Sequence, residues 1–311
     1  MVVTRRDFLG AGAAAVLASR FAWAAETKLP LAFSTLGCPS WEWMKVLEFA
    51  QTNGYAAIEL RGVKGNLDLP GCPEFAPERI ARSKKEVADH GLKISDLGAS
   101  AQMHVAEPAE RVKQLADARR FVDLASVLEV PYVRVFGNEL KGPREEVIAR
   151  VADGLHQLGE YAAPKGVTVI IESHGDFVQS PLLKEVLTRA SSKGVALLWD
   201  AHHTYVDGHE EPEHTVAELG PWIRHTHLKD SVPDGKGRKY VLTGKGDVPV
   251  ERQVQALRKL QVNGQMGYAG YYCFEWEKMW HPDIAEPEVA FPDYARVMTG
   301  YLKEPLGGVM G

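Results

Sequence analysis

One phrase recurs along this chain and limits what it can fold into: a polar or glycine-containing helix end followed at once by an apolar strand. It reads "TNGYAAIEL", "DHGLKISDL", "LEVPYVRVF", "PKGVTVIIE", "SKGVALLWD", "GPWIRHTHLKD" and "NGQMGYAGYYCFE", and "KLPLAFSTL" supplies an eighth strand with no helix before it. The glycines fall where a helix C-terminus needs a left-handed residue. Amphipathic stretches such as "PERIARSKKEVADH" and "AERVKQLADARRFVDLASVLE" lie between the strands, apolar at helical spacing. Strand then helix, eight times at roughly 30-residue intervals, predicts an α/β fold: a single closed parallel (β/α)8 barrel with the helices outside. An open doubly wound sheet is the alternative, but "STLGCPSWEW" after the first strand lacks the Gly-rich phosphate loop such a sheet uses there. A chain of 311 residues could hold two domains, yet no linker or low-complexity segment divides it, and residues 28–305 read as one barrel.

The N-terminus is of another kind. "TRRDFLGAGAAAVLASRFAWAAETK" carries twin arginines, Arg5 and Arg6, then Phe8 and Leu9, an Ala/Gly-rich stretch and a small-x-small site at Ala22-Trp23-Ala24. Residues 1–24 therefore read as a twin-arginine export signal, which implies a mature protein delivered folded to the periplasm. No other stretch is long and apolar enough to span a membrane. Removing residues 1–24 takes away three arginines and one aspartate, so the formal net charge moves from −5 to −7. So acidic a chain is a poor nucleic-acid binder, and no nucleic-acid partner is expected. Three cysteines give at most one disulfide; Cys38–Cys72 is conceivable, with free buried thiols the preferred reading.

Chemistry concentrates at the ends of the last four strands. "VTVIIE" ends in Glu172, "VALLWD" in Asp200, "WIRHTH" in His227 and "YYCFE" in Glu275. Side chains alternate along a strand, so an inward Glu172 takes Ile170 and Thr168 with it. An inward Asp200 takes Leu198 and Ala196, and an inward Glu275 takes Cys273 and Tyr271. The outward set, Ile171, Trp199, Phe274 and Trp276, is then bulky and apolar, as a helix-facing side should be. Three carboxylates and an imidazole at one barrel mouth would repel and desolvate one another if left alone. One divalent cation removes the difficulty. Three oxygens and one nitrogen without thiolate suit Mn2+, Co2+ or Mg2+, with Zn2+ as a further candidate.

The segments "IIESHGDF", "LLWDAHH", "HTHLKD" and "GYAGYYCFEWE" resemble the xylose-isomerase-like TIM-barrel superfamily of sugar phosphate isomerases and epimerases. The resemblance runs from "LAFSTLGCPSW" through "VRVFGN" to "AFPDYARVM". It implies that Glu172, Asp200, His227 and Glu275 are the metal ligands and that the His three residues after the Asp, His203, serves catalysis. His202 has the same letter at the wrong spacing and reads as structural or rim. The family's epimerases imply Glu172 and Glu275 as the acid–base pair. His225, two residues deeper than His227, is expected to pack or hydrogen-bond below the metal. Lys229, two residues on, is expected at the substrate. His174 and Glu277 share the inward parity and are candidate substrate contacts. Glu59 and Arg61 in "IELRG" could bridge across the mouth or hold a sugar hydroxyl. Trp41, Trp43 and His104 could wall a sugar ring, although packing is preferred for Trp43.

The first functional reading is a metal-dependent isomerase or epimerase acting on a sugar or keto-sugar through proton loss next to a carbonyl and an enediolate. A lyase shares that first step: dehydration of an inosose-like ketone, or β-elimination from a 3-keto-glycoside. The export signal makes the lyase a serious alternative, because sugar phosphates, unlike glycosides, are scarce outside the cytoplasm and no phosphate cradle is evident. A non-catalytic sugar-binding protein fits the four-residue set less well, and endonuclease IV-like repair would need more histidines than these strand ends supply. Substrate identity and oligomeric state, including any homo-oligomer built through the aromatic-rich C-terminal segment, stay open.

Overall fold

The computed structural model describes residues 28–304, except 236 and 263. Residues 1–24, read above as an export signal, lie outside the described residues. The chain alternates β1 (Leu31–Ser34), α1 (Trp43–Thr52), β2 (Ala57–Leu60), α2 (Ile80–Asp89), β3 (Lys93–Gln102), α3 (Pro108–Leu128), β4 (Tyr132–Asn138), α4 (Arg144–Ala162), β5 (Thr168–Gly175) and α5 (Ser180–Ala190). It continues through β6 (Val195–Asp200), α6 (Ala201–Val206), α7 (Pro212–Leu219) and β7 (Ile223–Leu228). A hairpin, β8 (Asp230–Asp234) and β9 (Gly237–Val241), then precedes α8 (Val250–Arg258), β10 (Gln261–Val262), β11 (Gln265–Met266), β12 (Tyr272–Phe274) and α9 (Pro287–Lys303). Eight parallel strands close in the order β1-β12-β7-β6-β5-β4-β3-β2, so β12 is the eighth strand of the barrel. This is the single (β/α)8 barrel that the repeated phrase predicts.

The alternation behind that prediction holds at the level of packing. Ile170, Ala196 and Leu198 form one cluster inside the barrel, joined by Tyr132, and Ala32, Ala57 and Cys273 form another with Tyr271. Ile171, Trp199, Phe274 and Trp276 belong instead to the large apolar layer between strands and helices. The expected left-handed turns occur at Gly91 and Gly166 (φ 62° and 74°). Where the repeat lacks a suitably placed glycine, Glu129 and Ser191 take that conformation (φ 59° and 47°). Gly194 of "SKGV" serves close packing, since a Cβ there would stand 2.3 Å from the Gly159 carbonyl oxygen.

The C-terminal aromatic segment packs on its own barrel. Phe291 of α9 stacks on Phe33 of β1 with centroids 4.2 Å apart, and Tyr294 stacks on Phe274 of β12 at 4.4 Å. The Tyr55 and Tyr294 hydroxyls donate to the Phe291 and Tyr272 carbonyls. The segment after the seventh strand, which reads as irregular, contains the hairpin. Asp230 at its base explains why the chain folds back: its carboxylate accepts the backbone N–H groups of Ser231, Gly244, Gly246 and Val248. Cys38, Cys72 and Cys273 are free, buried thiols, so the conceivable Cys38–Cys72 bridge is not formed. No helix among the described residues is long and apolar enough to cross a membrane.

Candidate metal centre

Four neighbouring strands of the parallel barrel bring their C-terminal ends to one place. Asp200 is in register with His227, Glu172 with Leu198, and Cys273, two residues before Glu275, with His227. Because all four side chains share the inward parity, Glu172, Asp200, His227 and Glu275 each present a donor atom within 4.8 Å of the others. None is more than 5% exposed. His227 Nδ1 is the hub, 3.4 Å from Glu172 Oε1, 3.2 Å from Glu275 Oε1 and 3.8 Å from Asp200 Oδ2.

The opposite nitrogen of the ring decides what Nδ1 can do. His227 Nε2 lies 2.7 Å from Glu59 Oε2, and a carboxylate can only accept, so Nε2 carries a proton. Nδ1 then faces the three carboxylates without a well-aligned hydrogen-bond partner, and in the neutral ring its lone pair would be free for a cation held among them. Glu172 Oε2 is likewise without one; Arg134 Nε is 3.1 Å away but poorly aligned. The Lys229 ammonium reaches Asp200 Oδ2 and Glu275, but Glu172 Oε2 and His227 Nδ1 stay without a partner, and a cation among the four groups would supply one. Three carboxylates and one imidazole, braced from behind by Glu59, therefore fit a divalent ion of oxygen-preferring type. Cys273 takes no part, its Sγ lying beside Glu59 on the inner side.

The charges are strongly interdependent. Burial disfavours the imidazolium of His227, but Glu275, Glu59 and Glu172 together hold its pKa well above the ordinary range. Burial also opposes ionisation of Glu172, yet Arg134 and His227 bring it down to about 2. Glu275 is held well below the usual carboxylate range by His227 and Lys229 against the same burial. Glu172 and Glu275 are ionised at neutral pH, as ligands or bases must be.

Around the cluster, most predicted contacts fall near the mouth, though some in other roles. Lys229 is fully buried; its ammonium pairs with Asp200 Oδ2 at 2.7 Å, with Glu277 Oε1 at 2.9 Å and with Glu275. Glu277 also accepts from the Tyr240 hydroxyl of the hairpin at 2.8 Å. Asp200 Oδ1 caps α6 by accepting the His202 and His203 amides, which leaves Oδ2 for Lys229 and the cluster. His203 Nδ1 meets Asp207 at 2.8 Å, and its Nε2 is 3.7 Å from Asp200. Burial opposes its protonation, but Asp200 and Asp207 raise its pKa to about 9. The His174 ring stands edge-on to His203, 5.0 Å away. His202 is structural, with Nε2 2.7 Å from Ser231 Oγ and its pKa brought to about 2 by burial and Lys229.

Several anticipated substrate contacts have partners within the protein. Glu59 is not paired with Arg61: the β1–β2 pairing sets it below His227, where it accepts from both His225 and His227. His225 also reaches Asp96 Oδ1 at 3.1 Å. Arg61 donates to the Gly98 carbonyl and Ser100 Oγ, and burial and Arg134 lower its pKa to about 10. Trp41 is packed between Phe49 and Phe291 with the Lys45 ammonium over its ring, and Trp43 packs on Phe75 and donates to Glu86. His104 is half-buried on the β3–α3 loop, where burial lowers its pKa. Arg134, Asp96, Asp207 and Tyr240 went unread in the sequence. Arg134 had a signal, since the parity of "YVRVF" turns it inward with Tyr132.

Comparisons with known proteins agree with this architecture. Inosose dehydratase of Bacillus thuringiensis is 29% identical over 174 residues, 52% of this chain and 56% of its own length, so that match spans about half of the relative. Inosose dehydratase of Geobacillus thermodenitrificans is 27% identical over 247 residues, 72% of this chain and 80% of the relative. The crystal structure of D-psicose 3-epimerase in the presence of D-fructose superposes with a TM-score of 0.68 at 16% identity, covering 90% of this chain and all of that one. The family described as xylose isomerase-like TIM barrel matches residues 47–298, most of the sequence. The chain belongs to the xylose isomerase-like TIM barrel family.

Proposed function

We propose that this protein is a divalent-metal-dependent enzyme that removes the proton beside the carbonyl of a sugar or keto-sugar and returns it, as an isomerase or epimerase. The observation that carries this reading is the convergence of Glu172, Asp200, Glu275 and His227 Nδ1 on one buried point at the barrel mouth. A bound divalent ion would supply an electrophile for two adjacent substrate oxygens and so acidify the C–H between them. Glu172 and Glu275 flank His227 Nδ1 at 3.4 and 3.2 Å, and each has a second oxygen. One can take the proton while the other delivers it to the opposite face or the next carbon. The Lys229 ammonium, fixed by Asp200 and Glu277, holds positive charge where a substrate oxygen becomes negative.

A lyase reading is favoured by a separate observation. His203, raised to about 9 by Asp200 and Asp207, is protonated at neutral pH and can donate to a departing hydroxyl or alkoxide. The likeness to inosose dehydratases, over 72% of this chain in one case, supports the same alternative. Incubation of the Mn2+-loaded protein with keto-sugars, inososes and 3-keto-glycosides in D2O tests both. An isomerase or epimerase gives an isomeric product with deuterium next to the carbonyl. A lyase gives a product lighter by water or by the departing group. Absence of deuterium exchange and of product across the panel would refute both readings.

A further inference from the structure

Arg61 is a buried cation to which the described residues offer no carboxylate partner. It is 6% exposed, and its guanidinium donates only to neutral acceptors, the Gly98 carbonyl at 3.2 Å and Ser100 Oγ at 2.9 Å. A like charge stands beside it. A Cβ on Gly98 would come within 2.8 Å of Arg61 Cδ and 2.9 Å of an Arg134 guanidinium nitrogen, so the two arginines flank that glycine. Arg134 has Glu172 as its counter-ion at 3.1 Å, whereas among the described residues no carboxylate lies within 4.0 Å of the Arg61 guanidinium, and Glu172, Glu275 and Glu59 act on it only from farther off. Burying a guanidinium without an anion is costly, and glycine at position 98 is what lets a second one come so near.

The residue is also held ready. The backbone N–H groups of Arg61 and Gly62 both donate to Thr35 Oγ1, at 2.9 and 3.1 Å, which fixes the start of the side chain. Two of the five N–H donors of the guanidinium are used by Gly98 and Ser100, so three remain for a ligand. The charges of Glu172 and Glu275 act on Arg61, which places its guanidinium near the metal cluster and near a substrate held there. A planar fork of donors in a site shielded from water matches a carboxylate.

We propose that Arg61 receives a carboxylate carried by the substrate, which makes the preferred substrate a keto-sugar acid. This rests on the reading of the metal cluster as a keto-sugar site. The test uses D-fructuronate and D-fructose, which differ by a carboxylate in place of a hydroxymethyl group. Calorimetric titration of the Mn2+-loaded protein should show D-fructuronate bound about tenfold tighter or better, the effect of one charge-assisted pair. In Arg61→Gln the ratio of the two affinities should collapse to about one, and Arg61→Lys should keep part of it. A wild-type ratio near one overturns the proposal, whether or not Arg61→Gln folds. So does a ratio that persists in Arg61→Gln. Tighter binding of D-fructose 6-phosphate than of D-fructuronate would assign the site to phosphate and overturn it as well. Deuterium exchange beside the carbonyl is read separately: exchange without carboxylate preference sinks only this inference, and preference without exchange sinks only the catalytic reading.

Discussion

His227 Nε2 stands 2.7 Å from Glu59 Oε2, and the same oxygen takes the Nε2 of His225 at 3.0 Å. One carboxylate from β2 thereby sets the tautomer of a histidine on β7 and turns its Nδ1 toward the acidic cluster. Carboxylates that brace a ligating histidine in this way are worth roughly 10- to 100-fold in metal affinity. Glu59→Gln should weaken Mn2+ binding by that order, measured calorimetrically on protein with an unchanged circular dichroism spectrum. Unaltered affinity would show that Nδ1 is not the donor.

Lys229 ties together Asp200, Glu275 and Glu277 in a place water does not reach. Lys229→Met keeps the side-chain bulk and strands those carboxylates. Removing one partner of a buried ion pair costs about 3–5 kcal/mol, so the chelator-treated variant should unfold at markedly lower urea than the wild type. Mn2+ should restore the variant more than it stabilises the wild type, because a cation relieves the same repulsion. Equal responses to Mn2+ would mean that the lysine and the ion do not share one set of charges.

His225 supplies a pH dependence with a definite sign. Burial opposes its charge, but Asp96 and Glu59 lift its pKa to about 9 from an ordinary 6.5. The folded protein therefore holds this proton more tightly than the unfolded chain does. The stabilisation is complete below pH 6.5 and is lost as the pH rises through about 9. It amounts to about 3 kcal/mol. Denaturant titrations in chelator at intervals across that window should show the decline, and His225→Asn should make it shallower, with His203 and His227 supplying what remains.

Gly98 leaves no room for a side chain between Arg61 and Arg134. Gly98→Ala should destabilise by about 1–3 kcal/mol, the usual cost of overfilling a packed site. It should also raise the Mn2+ dissociation constant, since Arg134 would shift against Glu172. A melting temperature and a metal affinity both equal to the wild type would show that the arginines yield freely.

The barrel and the four-residue cluster were legible because both follow from a period. Two-residue alternation decides which side of each strand faces in, and Glu172, Asp200 and Glu275 carry apolar outward neighbours that leave one choice. Glu59 obeys the same alternation, yet its partner sits across the barrel on β7, and nothing local distinguishes a brace from a sugar contact. The packing of Trp41 was hidden for a related reason: an aromatic near a strand end meets the helix layer or the mouth depending on α9, which is far away in sequence. The hairpin after β7 depends on four amides meeting Asp230, from residues up to Val248. Such a turn is built by one carboxylate at a distance and leaves no periodic trace.

The barrel closes where β12 pairs with β1, and Phe291 of the last helix covers that seam against Phe33. During synthesis the ribosome therefore releases Glu172, Asp200 and His227 well before Glu275 can join them. Until the eighth strand joins, β1 and the His227-bearing β7 are the open edges, while Glu172 and Asp200 lie on strands paired on both sides. The ordering of the last strand between the first and the seventh completes the wall and brings Glu275 to the other three groups in one event, so the four-residue cluster exists only once the eighth strand is in place.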